Sequence, residues 1–131
     1  MQMTNLHLKH GIDICSIDRI SKIFAYYGTK FFNKVFTVNE IIVLKQCPKH
    51  HFPTKLAGKF AAKEAMIKAM GHTTSYSALR EIEIVNYIDG KPGINLYGQA
   101  LEHYKKLSAK EINLSISHEK EYAIASVIIV L

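Results

Sequence analysis

Three kinds of side chain in this sequence suit work on a phosphate: carboxylates that can hold a hard cation, lysines that neutralise oxyanions, and a histidine that can donate to one. Asp13 stands where an alternating apolar segment gives way to a helical one, so its carboxylate can reach a cation or simply close a turn. Glu64 and Lys68 lie one helical turn apart, as a metal ligand and a phosphate-neutralising ammonium would, or as an ordinary solvated pair would. Lys55, Lys59, Lys63 and Lys68 could coat an anionic ligand or form a wet helix face. His118, just after Ser115-Ile116-Ser117, could donate to a phosphate or have no special task.

Other chemistries lack their residues. Neither His-x-x-x-His nor paired Cys-x-x-Cys is present, and the adjacent His50 and His51 cannot easily close one tetrahedral zinc site. A Walker loop, a Gly-x-Gly-x-x-Gly and a Gly-x-Ser-x-Gly elbow are missing as well. Cys15 and Cys47 are too few for a disulfide framework and read as reduced thiols.

The net charge of +6 favours an anionic partner, whether nucleic acid, a phosphate-rich small molecule or an acidic protein. Of the 17 basic residues only Arg19 and Arg80 are arginine, which argues against sequence-specific DNA reading by bidentate forks. A length of 131 residues with 48% hydrophobic and 21% charged residues matches one globular domain spanning residues 1–131. No apolar run approaches the ~20 residues of a membrane span, and no secretory signal opens the chain, so a soluble, cytoplasmic protein is expected.

The elements that must position these residues follow from periodicity. Leu6, Leu8, Ile12 and Ile14 alternate with His7, Lys9, Gly11 and Asp13, which predicts a strand with Asp13 on its wet face. Ser16 then caps a helix carrying Ile17, Ile20, Phe24 and Tyr27, and Gly28 ends it. Thr37 and Glu40 form a capping box, with Phe36 and Ile41 as its staple, for a helix reaching about Lys45. Lys49 to Pro53 reads as a loop, and Thr54 to Met70 as a long helix with Leu56, Phe60, Ile67 and Met70 as its stripe. On another side, Ala57, Ala61, Ala65 and Ala69 permit close packing.

Ile82 and Ile84 lie in a strand, Asp89-Gly90 makes a hairpin turn, and Ile94 and Leu96 return. Gly98 to Leu107 fits a short helix. Two further strands carry Ile112, Leu114 and Ile116, then Tyr122 to Leu131. The pattern predicts an α+β fold with antiparallel strands packed against helices.

Taken in order, Gly11-Ile12-Asp13-Ile14, Phe36-Thr37-Val38-Asn39-Glu40, Leu56 to Ala65 with Lys68-Ala69, Asp89-Gly90-Lys91-Pro92 and Ser115-Ile116-Ser117-His118 resemble one family. It is the small bacterial type of 4′-phosphopantetheinyl transferase, the holo-acyl-carrier-protein synthases, and the resemblance runs from Gly11 to about Val127. The Phe-Ala-Ala-Lys-Glu-Ala-x-x-Lys-Ala run is its most specific part.

The resemblance implies transfer of phosphopantetheine from coenzyme A to a serine of acyl carrier protein, with release of adenosine 3′,5′-bisphosphate. It implies Asp13 and Glu64 as magnesium ligands and Lys68 at the phosphate under attack. A metal-positioned water or a carboxylate would accept the serine proton. Water would stand at the position of Cys15, where two-domain relatives carry a further acidic ligand. Lys59 and Lys63 are implied as partners of the 3′-phosphate, and Arg19 as a contact with the acidic carrier protein. The family is trimeric with sites between subunits, so His118 would serve the neighbouring chain's site. Two competing readings are a basic RNA-binding module without catalysis and a transferase homologue that has lost activity.

Overall fold

A computed structural model of the chain describes residues 7–71 and 76–131. Its elements in order are β1 (Leu8–Ser16), α1 (Ile17–Tyr27), α2 (Thr29–Val35), α3 (Val38–Gln46), α4 (Phe52–Met70), a 3-10 turn (Tyr76–Glu81), β2 (Ile82–Asn86), β3 (Pro92–Leu96), α5 (Gly98–Lys106), β4 (Glu111–His118) and β5 (Tyr122–Val130). The expected α+β architecture with antiparallel pairing is what forms. One sheet has the order β1-β5-β4 and the other pairs β2 with β3. Helix α4 lies across β1 and β5.

Local signals explain most boundaries. The Ser16 side chain accepts the Arg19 N–H at 3.2 Å, and Gly28, at a φ of 57° that favours glycine, closes α1. Both halves of the Thr37–Glu40 capping box are present at α3. Helix α4 begins at Phe52 rather than Thr54, because Pro53 fits a first turn, where a missing N–H has no partner to lose. Helix α2 has no counterpart in the sequence reading; its seven residues are too few to show a full period, and Phe32 and Val35 hold it to the core.

The orientation of β1 corrects the periodicity reading. Gly11 and Cys15 are buried against α4, whereas Ile12 and Ile14 are 49% and 61% exposed. Asp13 belongs to the inward row, and Leu6 lies outside the described residues. The cause is the narrow gap between strand and helix: a Cβ on Gly11 would come within 1.9 Å of the Ala65 carbonyl oxygen and 2.6 Å of the Ala69 nitrogen. Only small or slender side chains fit there, so the bulky ones turn outward. Ala57, Ala61, Ala65 and Ala69 are all buried, as close packing requires.

Candidate active site

Strand β1 and helix α4 bring Asp13, Glu64 and Lys68 together. The Lys68 ammonium donates to Asp13 Oδ1 and to the Ile12 carbonyl, both at 3.1 Å. This pair is half open, with 55% of the Lys68 side chain and 17% of the Asp13 side chain exposed. Glu64 faces the same place: burial, followed by the negative charge of Asp13, pushes its carboxyl above the usual range, against the pull of Lys68. Two carboxylates thus crowd each other beside a single ammonium.

A hard divalent cation fits this donor set. The like charges that raise Glu64 would be relieved by a cation between them, and both groups offer only oxygen. Cys15 does not join them as a thiolate. Burial, with Asp13 adding to it, pushes its thiol up to about 11, and its Sγ donates to the Ala57 carbonyl at 3.3 Å. Among the described residues no group of three or more His, Cys, Asp and Glu could hold a metal. That suits magnesium, which takes one or two carboxylates and fills its other positions with water and substrate oxygens.

A cleft of about 500 Å³ lies between α4, the β2–β3 hairpin and β4, and none of Asp13, Glu64 and Lys68 lines it. His51, Lys55, Lys59 and His118 bring basic groups to it, and Gly58 and Ile84 lie between them. Gly58 keeps α4 close to β4, since a Cβ there would meet Ile116 Cγ2 at 3.3 Å. His118 therefore shares a cleft with Lys59 within one chain. His51 was not singled out from the sequence; its signal was a basic pair placed just before the start of α4.

Lys59 is nearly buried, with 8% exposed, and its Nζ donates to the Ile84 carbonyl at 3.0 Å. Burial lowers its pKa, and the negative charge of Glu40 opposes the shift. Lys63 corrects the expectation placed on it. It is fully buried, 2.7 Å from Glu40 Oε1, and donates to the carbonyls of Leu79 and Ile82 as well. Its three donors are taken inside the fold, so it has none left for a ligand phosphate. Arg19 is exposed on α1.

Carboxylate oxygens and a lysine where β1 packs on α4, together with a basic cleft lined by the same helix, are a donor set that suits phosphate-bearing substrates. The sequence model described as the 4′-phosphopantetheinyl transferase superfamily matches residues 9–127, and the chain belongs to that family. A relative from Dehalococcoides mccartyi named holo-[acyl-carrier-protein] synthase is 46% identical over 120 residues, covering 90% of this chain and 94% of its own. A crystal structure of the holo-(acyl-carrier-protein) synthase of Bacillus anthracis in complex with CoA (3′,5′-ADP) superposes with a TM-score of 0.75 at 32% identity, over 95% of this chain and 97% of the other. The Plasmodium yoelii acyl carrier protein synthase with ADP bound gives a TM-score of 0.82 at 32% identity, over 97% and 98%.

Proposed function

We propose that this chain, acting as one domain, transfers the 4′-phosphopantetheine group of coenzyme A to a serine hydroxyl of apo acyl carrier protein, in support of fatty acid biosynthesis. The observation that carries the reading is the Asp13–Glu64–Lys68 cluster where β1 packs on α4, the same helix that lines the basic cleft. From Gly58 to Glu64 the distance along α4 is about 9 Å, so one helix serves both places. A relative named holo-[acyl-carrier-protein] synthase and the Bacillus anthracis structure in complex with CoA (3′,5′-ADP) support it.

The serine oxygen forms a bond to the β-phosphorus of the pyrophosphate, and the bond from that phosphorus to the bridging oxygen breaks. Adenosine 3′,5′-bisphosphate leaves and the serine proton passes to a base at the site. Asp13 and Glu64 would hold magnesium, which supplies charge neutralisation on the pyrophosphate oxygens. Lys68, the most exposed of the three, turns its ammonium from Asp13 to the phosphate under attack. Lys59 and His118 hold the nucleotide end. Arg19 and the +6 charge draw an acidic carrier protein to the α1 side.

The enzyme works as a homotrimer in the cytoplasm. What supports assembly is the sheet face turned away from α4, where Leu8, Ile12, Ile14 and Ile128 are 52%, 49%, 61% and 37% exposed. No helix among the described residues is long and apolar enough to cross a membrane. The RNA-binding reading rests on the +6 charge, and one of the lysines that make it up, Lys63, is fully buried in an ion pair.

Intact-mass spectrometry of an apo acyl carrier protein tests the proposal. Incubation with this protein, coenzyme A and magnesium should add the mass of one phosphopantetheine, and chelation should abolish the gain. No gain with a carrier that a known synthase modifies would refute it.

A further inference from the structure

The free edge of β2 is finished by side chains rather than by another strand. Tyr97 N–H donates to the Glu81 carbonyl and Tyr87 N–H to the Lys91 carbonyl, so the odd-numbered positions of this hairpin turn toward each other. Ile82 and Ile84 consequently turn their backbone groups away from β3, as on any strand edge. Here Glu40 Oε2 accepts the Ile84 N–H at 2.9 Å, Lys59 Nζ donates to the Ile84 carbonyl at 3.0 Å, and Lys63 Nζ donates to the Ile82 carbonyl. Glu40 is itself fixed, since its Oε1 accepts from Thr37 N–H at 3.0 Å and from Lys63 Nζ at 2.7 Å.

Ile84, Asn86 and Pro92 of the same hairpin form a wall of the basic cleft, while Glu40 stands behind that wall and does not line the cleft. We propose that Glu40 is a positioning residue for the nucleotide end of the substrate: by holding the Ile84 peptide it sets the spacing between the hairpin and α4. The same contact keeps Lys59, which binds the carbonyl of that same residue on the same strand edge, aimed along the cleft. Burial lowers the Lys59 pKa and Glu40 opposes it, in keeping with this arrangement. The proposal rests on the cleft taking the nucleotide part of coenzyme A.

Two double variants separate positioning from folding. In Glu40→Gln with Lys63→Met, the amide oxygen is released from Lys63 and can accept the Ile84 N–H, with only the Thr37 N–H competing for it; in Glu40→Leu with Lys63→Met, nothing accepts it. Removing both charges avoids stranding a buried ion, and the lost Lys63 donors to the Leu79 and Ile82 carbonyls cost both variants alike, so the two compare like for like. Calorimetric titration with adenosine 3′,5′-bisphosphate should give a Kd raised about tenfold in the leucine variant and within about twofold of wild type in the glutamine variant. KM for coenzyme A should follow Kd, with kcat within about twofold in both.

A merely structural role would lower the folded fraction and kcat while leaving the two Kd values equal, and that result would overturn the positioning role. Folded wild type that binds no bisphosphate at millimolar concentration would instead overturn the reading of the cleft, and the positioning role with it. Should the leucine variant not fold, Glu40→Gln alone serves: its single oxygen is contested by Lys63, Thr37 and Ile84, and the charged Lys63 donor should win it. Its Kd should rise and be restored by adding Lys63→Met, whereas no restoration would count against the proposal.

Discussion

Helix α4 carries two lysine–carboxylate pairs that look alike on paper and differ in everything that matters. Lys63 meets Glu40 at 2.7 Å with 0% and 1% of the side chains exposed, whereas Lys68 meets Asp13 at 3.1 Å with 55% and 17% exposed. The two lysines are five residues apart, which turns them about 140° around the helix, one toward the core and one toward the site. In the first pair every donor is taken by the fold. In the second the ammonium can leave its partner for a substrate. Burial, not residue type, separates the structural ion pair from the chemical one.

The comparison breaks first on stability. Lys63→Ala strands the Glu40 carboxylate in the core and removes the donor to two carbonyls, so chemical denaturation should show a loss of about 3–5 kcal/mol. Lys68→Ala should lose less than about 1 kcal/mol, as half-exposed pairs do, while transfer slows by about 100-fold. Equal stability losses in the two variants would erase the distinction.

Next in size is the loss of activity at the carboxylates. Asp13→Ala and Glu64→Ala should each lower the rate of holo-carrier formation by about 100-fold or more while their unfolding midpoints stay near wild type. Full turnover by both variants would remove Asp13 and Glu64 from the metal site. An intermediate effect is expected at Gly11→Ala, where the added methyl must displace α4 backbone. Its cost should be at least about 1–3 kcal/mol, read as a lowered Tm.

These contrasts also mark how far the sequence was legible. Caps and turns are local chemistry, so Ser16, Gly28, the Thr37–Glu40 box and the Asp89-Gly90 turn were readable without tertiary knowledge. The cluster of Asp13, Glu64 and Lys68 was legible only as separate candidates and through family resemblance, because spacing says nothing of which strand lies beside α4. Two inversions show the limit. Periodicity alone put Asp13 on the wet face of β1, since it cannot tell a core-facing row from one left open on the outer side of a sheet. Charge and family resemblance placed Lys63 at a phosphate, since an acceptor set made of Glu40, Leu79 and Ile82 exists only after α3 and β2 have packed.

The smallest expected effect tests the same comparison by pH. Burial alone would raise Glu83, but hydrogen bonds from Thr37, Asn95, Tyr97 and Asn39 hold it below the usual carboxylate range. Its stabilisation is therefore present above the unfolded value and lost as pH falls through the depressed folded one. Glu64 is shifted the other way, so wild type gains stability as pH falls from neutral through the raised value toward the usual carboxylate range. In chelator at pH 7, Glu83→Gln should destabilise and Glu64→Gln should stabilise, read as a lowered and a raised Tm. The Glu64→Gln advantage should fade as pH falls through the raised value and vanish below the usual carboxylate range, where the wild-type carboxyl is protonated in both states. Magnesium sharpens the test: it should raise the wild-type Tm and leave Glu64→Gln nearly unmoved, because only the wild type has a second carboxylate charge for the cation to relieve. Equal shifts in both proteins would place the cation elsewhere.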